Sequence, residues 1–331
     1  MARRPRDNPA SVRIIDVANA AGVAPMTVSR VLNAPNRVAP ATAARVHEAI
    51  ERLGYVPNLI AGGLSSRRSR MVAAVVPGIT GPFFGASVQM FTKVLGDAGY
   101  HVLLAFSDQA EDAVLRAVLG RRPDGILLTG AERSPGARRL LQDAGIPVVE
   151  MWDNNGAALD TSVGLDHGGL GAAIADFFIE GGHTRFAAIG APSPRSTSRR
   201  LGFVRRVAER GGELVADRIL QTRTIADGRQ VVRDLAPLIG DRTALFGGND
   251  PIAFGAVAEA RALGIDVPTR LAVCGFGDSE LSRSSDVPFT TVAIDGKEMG
   301  RAAAEALIER MTGGEPRHIR VPFQIIPRAS T

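Results

Sequence analysis

From Met71 onward, short β-branched runs alternate with segments of helical period, and this alternation limits the fold more than any other feature. The expected strands are Met71–Val76, His101–Phe106, Gly125–Thr129, Pro147–Met151, Arg185–Ile189, Ala244–Phe246, Leu271–Cys274 and Thr290–Ile294. Between them, apolar residues step by three and four. Phe84, Val88, Phe91 and Leu95 form one such series, and Leu170, Ile174, Phe177 and Phe178 another. Strands buried on both faces read as apolar runs, and the helices that cover them read with a 3.6-residue period. Repeated βα units therefore specify α/β architecture, a parallel sheet with helices on both faces. The roughly 260 residues after Met71 hold too many units for one small sheet, and two Rossmann-like halves suit them. No repeat of short fixed period is present.

Several function classes fall away on composition. One cysteine, Cys274, permits neither an intrachain disulfide nor a Cys-rich metal site. The five histidines are scattered, with no pair at H-x-x-x-H spacing, so no metal is expected. No apolar run approaches the roughly 18 residues that span a bilayer. The basic stretch Met1–Arg13 is not followed by an apolar segment, which points away from export and to the cytoplasm.

The charge is unevenly placed. Residues 1–70 contain eleven arginines and four acids, whereas the remainder holds 28 basic and 30 acidic residues. A small basic module ahead of a nearly neutral body is the footprint of a polyanion-binding head. Its alternative is a basic tail that aids solubility. Arginine content alone does not decide between them, because Lys93 and Lys297 are the only lysines in the chain.

The order of residues in the head does. In IIDVANAAGVAPMTVSRVL (14–32), Asp16 can accept free N–H groups at a helix start, and Val17, Ala18 and Ala21 share a face. Gly22 permits a left-handed turn, and Pro25 suits the first turn of a second helix. Ala18, Gly22 and Val28 have the spacing of a helix-turn-helix, with a small residue at the crossing and glycine in the turn. A third helix begins near Pro40, buries Val46, Ala49, Ile50 and Leu53, and ends at Gly54. The second helix would then be the reading helix, offering Pro25, Met26, Thr27, Ser29 and Arg30. Arg30 can reach guanine edges or phosphates, Thr27 and Ser29 suit phosphate oxygens, and Met26 suits a thymine methyl. A purely structural three-helix bundle is the competing reading.

Two segments, IIDVANAAGVAPMTVSRVLN and RVAPATAARVHEAIERLGYVPN, resemble without gaps the head of the lactose-repressor (LacI) family of transcription regulators. The likeness continues to about Phe323. It implies an N-terminal helix-turn-helix domain over 1–57 and a hinge over 58–70. An effector-binding and dimerisation domain of periplasmic-binding-protein type would follow over 71–331. Its first subdomain would take about 71–160 and 291–319, and its second about 161–290 and 320–331. Crossings between the halves are expected near 161, 290 and 320. Within the matching motifs, Asp16, Asn33, Tyr55 and Asn58 join the reading helix as DNA-side residues. In the hinge NLIAGGLSS, the resemblance makes Leu64 a minor-groove wedge with Ala61 on the same face. Gly62-Gly63 departs from the family's longer polar residues, and each glycine costs a helix roughly 0.5–1 kcal/mol relative to alanine. The hinge is therefore expected to need DNA for its ordering.

The resemblance also marks an effector cleft at the carboxyl ends of strands. Phe83 and Phe84 match its aromatic positions, although at least one of them can be core. Glu150, Trp152 and Asp153 follow a strand as a ligand wall, and Trp152 is the single tryptophan. Arg199, three residues before Gly202-Phe203, matches an effector-contacting arginine. Arg195 and Ser196 stand beside it, and two arginines with a hydroxyl at a helix start suit a carboxylate or phosphate. Asn249 is the effector-side match, with Asp250 as the helix cap. Where the family often has Gly-Phe/Tyr-Asp-Asp, this chain has Gly275-Phe276-Gly277-Asp278, so the first sugar-binding acid is missing and Asp278 remains. With this departure, the chain is most similar to the family's gluconate-operon repressor branch.

The reading is thus a ligand-responsive repressor without catalytic residues or cofactor. It would bind a palindromic double-stranded operator as a homodimer and respond to a sugar acid. Val88, Phe91 and Leu95 are candidates for either the dimer contact or the core. The absence of a terminal heptad tail points away from tetramers. A corepressor-type regulator of a purine or phosphorylated metabolite is the nearest alternative. A cytoplasmic small-molecule binding protein lacks a use for the basic head. A nicotinamide-dependent enzyme lacks its fingerprint, because Gly168-Gly169-Leu170-Gly171 and Gly275-Phe276-Gly277 are incomplete.

Overall fold

The computed structural model describes residues 12–56, 68–78, 82–107, 111–130, 133–154 and 158–331, without the side chains of Asn33, Pro82 and Phe83. Asn58, Ala61 and Leu64, and with them the hinge expectation, lie outside the described residues. The chain divides into two compact units, Met1–Ser69 and Arg70–Thr331.

The first unit contains three helices: α1 (Ile14–Ala21), α2 (Pro25–Asn33) and α3 (Pro40–Leu53). Gly22 ends α1 at φ 63°, and the Val23 N–H bonds the Ala18 carbonyl, which turns the chain into α2. Proline opens both α2 and α3, where its missing N–H costs nothing. Val17, Ala18, Ala21, Val28, Val31, Val46 and Ala49 form a small core of its own.

Among its described residues the second unit holds two parallel sheets and a two-stranded antiparallel one. The first is parallel, in the order β11-β5-β4-β3-β1-β2. Its strands are β1 (Met71–Val76), β2 (His101–Phe106), β3 (Gly125–Leu128), β4 (Val148–Asp153), β5 (Thr161–Leu165) and β11 (His318–Arg320). The second sheet has the order β7-β6-β8-β9, from β6 (Arg185–Gly190), β7 (Glu213–Ile219), β8 (Thr243–Phe246) and β9 (Leu271–Cys274). β10 (Thr291–Ile294) and β12 (Phe323–Ile326) pair antiparallel.

The helices α4 (Pro82–Asp97), α5 (Glu111–Leu119), α6 (Pro135–Ala144) and α12 (Gly296–Met311) pack on the first sheet. α7 (His167–Glu180), α8 (Pro194–Glu209), α9 (Ile225–Leu235), α10 (Asp250–Ala262) and the short α11 (Glu280–Ser284) belong to the second. The eight expected strands all form, with ends shifted by at most two residues. β5, β7, β11 and β12 were not expected. Thr161–Leu165, assigned from sequence to the second half, instead pairs along β4, so the first crossing follows Leu165. Its Thr, Ser and Gly hide a strand that is buried at every position.

Phe91 and Leu95 are fully buried beneath the first sheet with Val88 packed against the same core, so they fill the interior and do not offer a dimer surface. After β12 the chain returns to the second sheet, where Ser330 donates to the Val273 carbonyl and its own carbonyl accepts from Val273 N–H.

Candidate effector cleft and DNA-reading head

In the first unit, Asp16 sits in the first turn of α1 and accepts the Arg13 N–H at 2.7 Å. It therefore caps α1, which starts two residues before it. On α2, Val28 and Val31 face inward, while Pro25, Met26 and Arg30 face outward and Thr27 and Ser29 are half-buried. Met26 is 63% exposed, which water disfavours for a large apolar side chain and a base edge would cover. Arg13, Arg37, Arg45 and Arg52 are exposed as well, so the arginines carried by the described residues of this unit lie on its surface. Tyr55 packs against the small core and donates its N–H to the Ile50 carbonyl.

In the second unit, strand ends and helix starts converge on one cluster. β4 delivers Glu150, Trp152 and Asp153. Trp152 has φ 90° within the strand, a strained conformation for a bulky residue and one found most often where function over-determines the backbone. The strand opposite must give way: a Cβ on Gly164 would lie 2.3 Å from the Asp153 nitrogen. The indole stacks on Phe84, with ring centroids 5.6 Å apart and planes 14° from parallel. Phe84 is thus both buried and part of the cluster. The Phe83 side chain lies outside the described residues.

Asp153 is bound to Arg195, whose Nε donates to Oδ2 at 2.7 Å. Arg195 Nη2 also donates to the carbonyls of Thr129, at 2.5 Å, and Met151, at 3.3 Å. Arg195 therefore ties the start of α8 to the ends of β3 and β4. Ser196 is equally committed, its hydroxyl accepting the Ala191 N–H at 2.8 Å. Of the expected two arginines and a hydroxyl, Arg199 alone has no carboxylate or backbone partner among the described residues.

Arg199 is 7% exposed. Its guanidinium carbon lies 3.9 Å above the Phe276 ring, and its Nη1 lies 3.1 Å from His167 Nδ1. Among the described residues no carboxylate stands within ion-pair distance of it. Burial, followed by the charges of Arg195 and Arg223, pushes its pKa down to about 9, with Asp153 acting in the opposite sense. It remains a cation at neutral pH, desolvated and short of negative charge.

The other expected residues serve the frame. Glu150 accepts the Leu159 N–H at 2.8 Å and lies 3.8 Å from Arg133, whose side chain is 3% exposed and also pairs with Glu111 at 3.1 Å. Asn249 caps α10 by accepting the Ile252 N–H at 2.9 Å. Asp250, expected as the cap, is instead the first residue of α10. It is buried, accepting the Thr291 hydroxyl at 2.5 Å and the Ser279 N–H at 2.6 Å. The Asp278 carboxylate is taken up by Arg328, Arg283 and Ser282.

Sequence reading missed His167, Arg133, Thr129 and Phe276. His167 opens a helix behind an unrecognised strand, and the partners of Arg133 lie 17 and 22 positions away. Asp166, an N-cap acid right before His167, was the one readable sign.

Residues 13–58 match the lacI family of bacterial regulatory proteins, and residues 175–331 match a periplasmic binding protein-like domain. The HTH-type transcriptional regulator GntR of Pseudomonas aeruginosa is 33% identical over 324 residues, covering 96% of this chain and 94% of that protein. The chain belongs to the lacI family. A LacI-family transcriptional regulator from Silicibacter pomeroyi superposes with a TM-score of 0.85 at 32% identity, over 96% of this chain and 99% of the other. The lac repressor dimer bound to operator and the anti-inducer ONPF shares the fold, with a TM-score of 0.86 at 21% identity over 97% and 99% of the two chains. As a lacI-family member, this chain is a DNA-binding transcriptional regulator and not an enzyme. Within that family the cleft has one built-in departure. Gly277 has φ 128°, so the backbone at the position of the missing acid favours glycine and disfavours aspartate.

Proposed function

We propose that this regulator represses carbohydrate or sugar-acid catabolic genes and is released from its operator by a small anionic inducer of the gluconate type. Arg199 carries the reading. A buried guanidinium with no carboxylate partner is costly until an anion reaches it, and a ligand carboxylate would form strong charge-assisted hydrogen bonds there. The Trp152–Phe84 stack supplies an apolar wall for a sugar's carbon face, and Asp153 Oδ1 supplies a hydroxyl acceptor at its rim. Gly277 supports an acid over a neutral sugar, since it offers no side-chain acceptor.

On the DNA side, Pro25, Met26, Thr27, Ser29, Arg30 and Asn33 would enter the major groove, with Leu64 and Ala61 of the hinge at the operator centre. The division at 1–57, 58–70 and 71–331 belongs to this proposal. One short helix reads a half-site, which favours a homodimer on a palindromic operator, and the cytoplasm belongs to the same reading. The operator-bound dimer of the lac repressor, which shares the fold, supports that arrangement. Titration calorimetry tests the ligand side. Gluconate should bind saturably, glucose should not, and Arg199→Ala should lose at least about tenfold in affinity, as expected for one charged hydrogen bond. Binding of glucose alone, or an unchanged Arg199→Ala, would refute it.

A further inference from the structure

Two helices of the second unit touch backbone to backbone. A Cβ on Gly171 of α7 would lie 1.9 Å from the Arg199 carbonyl of α8, and one on Gly202 would lie 2.1 Å from the Gly168 carbonyl. The glycine cluster that failed as a nucleotide fingerprint therefore has a packing use, bringing the first turn of α7 against Arg199. Asp166 fixes that turn by accepting the Gly169 N–H at 2.8 Å. His167, next in the chain, is 6% exposed and stands between two groups of opposite hydrogen-bonding character.

Its Nδ1 faces Arg199 Nη1 at 3.1 Å, and its Nε2 faces the Trp152 carbonyl at 3.1 Å and Asp153 Oδ1 at 3.6 Å. A guanidinium only donates and a carbonyl only accepts. Nδ1 must then carry the lone pair and Nε2 the proton. Burial first, then the charges of Arg199 and Arg195, push the ring pKa down to about 3, so this neutral form persists. With Phe276 beneath the guanidinium and His167 on one of its nitrogens, Arg199 is held in one orientation.

We infer that His167 is a positioning residue: its imidazole, fixed as the Nε2–H tautomer between the Trp152 carbonyl and Arg199, aims the guanidinium at the effector's anionic group. The same ring links the strained end of β4 to α8, so occupancy of Arg199 is felt by the first sheet. This inference rests on the anionic-effector reading.

The full-length protein tests it by calorimetry with gluconate. In His167→Asn, Oδ1 takes the place of Nδ1 and accepts from Arg199, but the side chain is too short for the Trp152 carbonyl. In His167→Gln, the amide reaches that carbonyl and leaves no acceptor at the δ position. The Asn variant should bind within about threefold of wild type, whereas the Gln variant should weaken at least about tenfold. Equal affinities in the two variants overturn the inference. Histidine ¹⁵N spectra of the wild type read the tautomer without substitution. The inference requires an unprotonated Nδ1 whose signal moves with gluconate, and a protonated Nδ1 overturns it. A wild type that does not bind gluconate at all fails the anionic-effector reading instead.

Discussion

Arg199 and His167 together form a buried cation held by a neutral base; burial depresses the pKa of both, and the Arg199 charge adds to the depression at His167. The depressed His167 pKa also has a consequence for stability. Above pH 6.5 the ring is neutral in both folded and unfolded chains and contributes no pH dependence. Below it the unfolded chain takes up a proton that the native ring refuses down to about pH 3, so stability falls as the pH drops through that window. Between pH 7.5 and 5.5 the loss assigned to this ring is on the order of 1 kcal/mol. Urea unfolding at the two pH values should show a drop smaller by that amount in His167→Asn than in wild type. Identical drops would mean that the ring is protonated in the native state. At this scale the sequence pointed to Arg199 through its motif and to Trp152 through its place after a strand, because both signals are local. It could not reveal that Arg195 spends itself on Asp153, 42 positions away, or that Asn249 rather than Asp250 caps a helix. Those outcomes depend on where strands end in space.

The crossing of α7 and α8 is the element on which the cleft depends. It permits His167 and Arg199 to meet only because Gly171 and Gly202 present no side chain at the contact. Gly171→Ala should force the helices apart and cost about 1–3 kcal/mol of stability. It should also weaken gluconate binding, although the residue touches no ligand. Urea unfolding and calorimetry on the one variant check both, and an Ala variant with wild-type stability would mean that the helices are not in backbone contact. Strand legibility followed apolar content, since the fully buried β5 escaped through its Thr, Ser and Gly. β1, β3, β8 and β9 are apolar runs and were read nearly to the residue. β7 is an edge strand, Glu-Leu-Val-Ala-Asp-Arg-Ile, whose charged Glu213, Asp217 and Arg218 break both an apolar run and a strict alternation, so it reads as a loop until its partner β6 is known. β11 and β12 are three and four residues long, too short for any periodicity to register.

Across the whole molecule, two kinds of sequence signal mark two kinds of task. The basic excess lies in the first unit, whose Arg13, Arg30, Arg37, Arg45 and Arg52 are exposed where a duplex can meet them. Among the described residues the second unit pairs most of its arginines with carboxylates, whereas the buried Arg199 meets only His167 and the Phe276 ring. A ligand can shift a regulator only by binding its two arrangements with different affinity. Arg195 on Asp153 and His167 on the Trp152 carbonyl join α7 and α8 to the first sheet, and so give the lobes contacts whose strength an anion at Arg199 can alter. The fold and the regulatory class were legible because they rest on periodicity, charge and a long motif. The ligand is a proposal that sequence alone does not carry, because its chemistry depends on which of several arginines the fold pairs with carboxylates. The most direct measurement is fluorescence anisotropy of a labelled duplex, selected by the protein from a random library, titrated with gluconate and with glucose. Gluconate should release the duplex from the wild type but not from Arg199→Ala, with both proteins binding DNA equally in its absence. Release by glucose, or release of the Arg199→Ala complex at wild-type gluconate concentrations, would contradict the account.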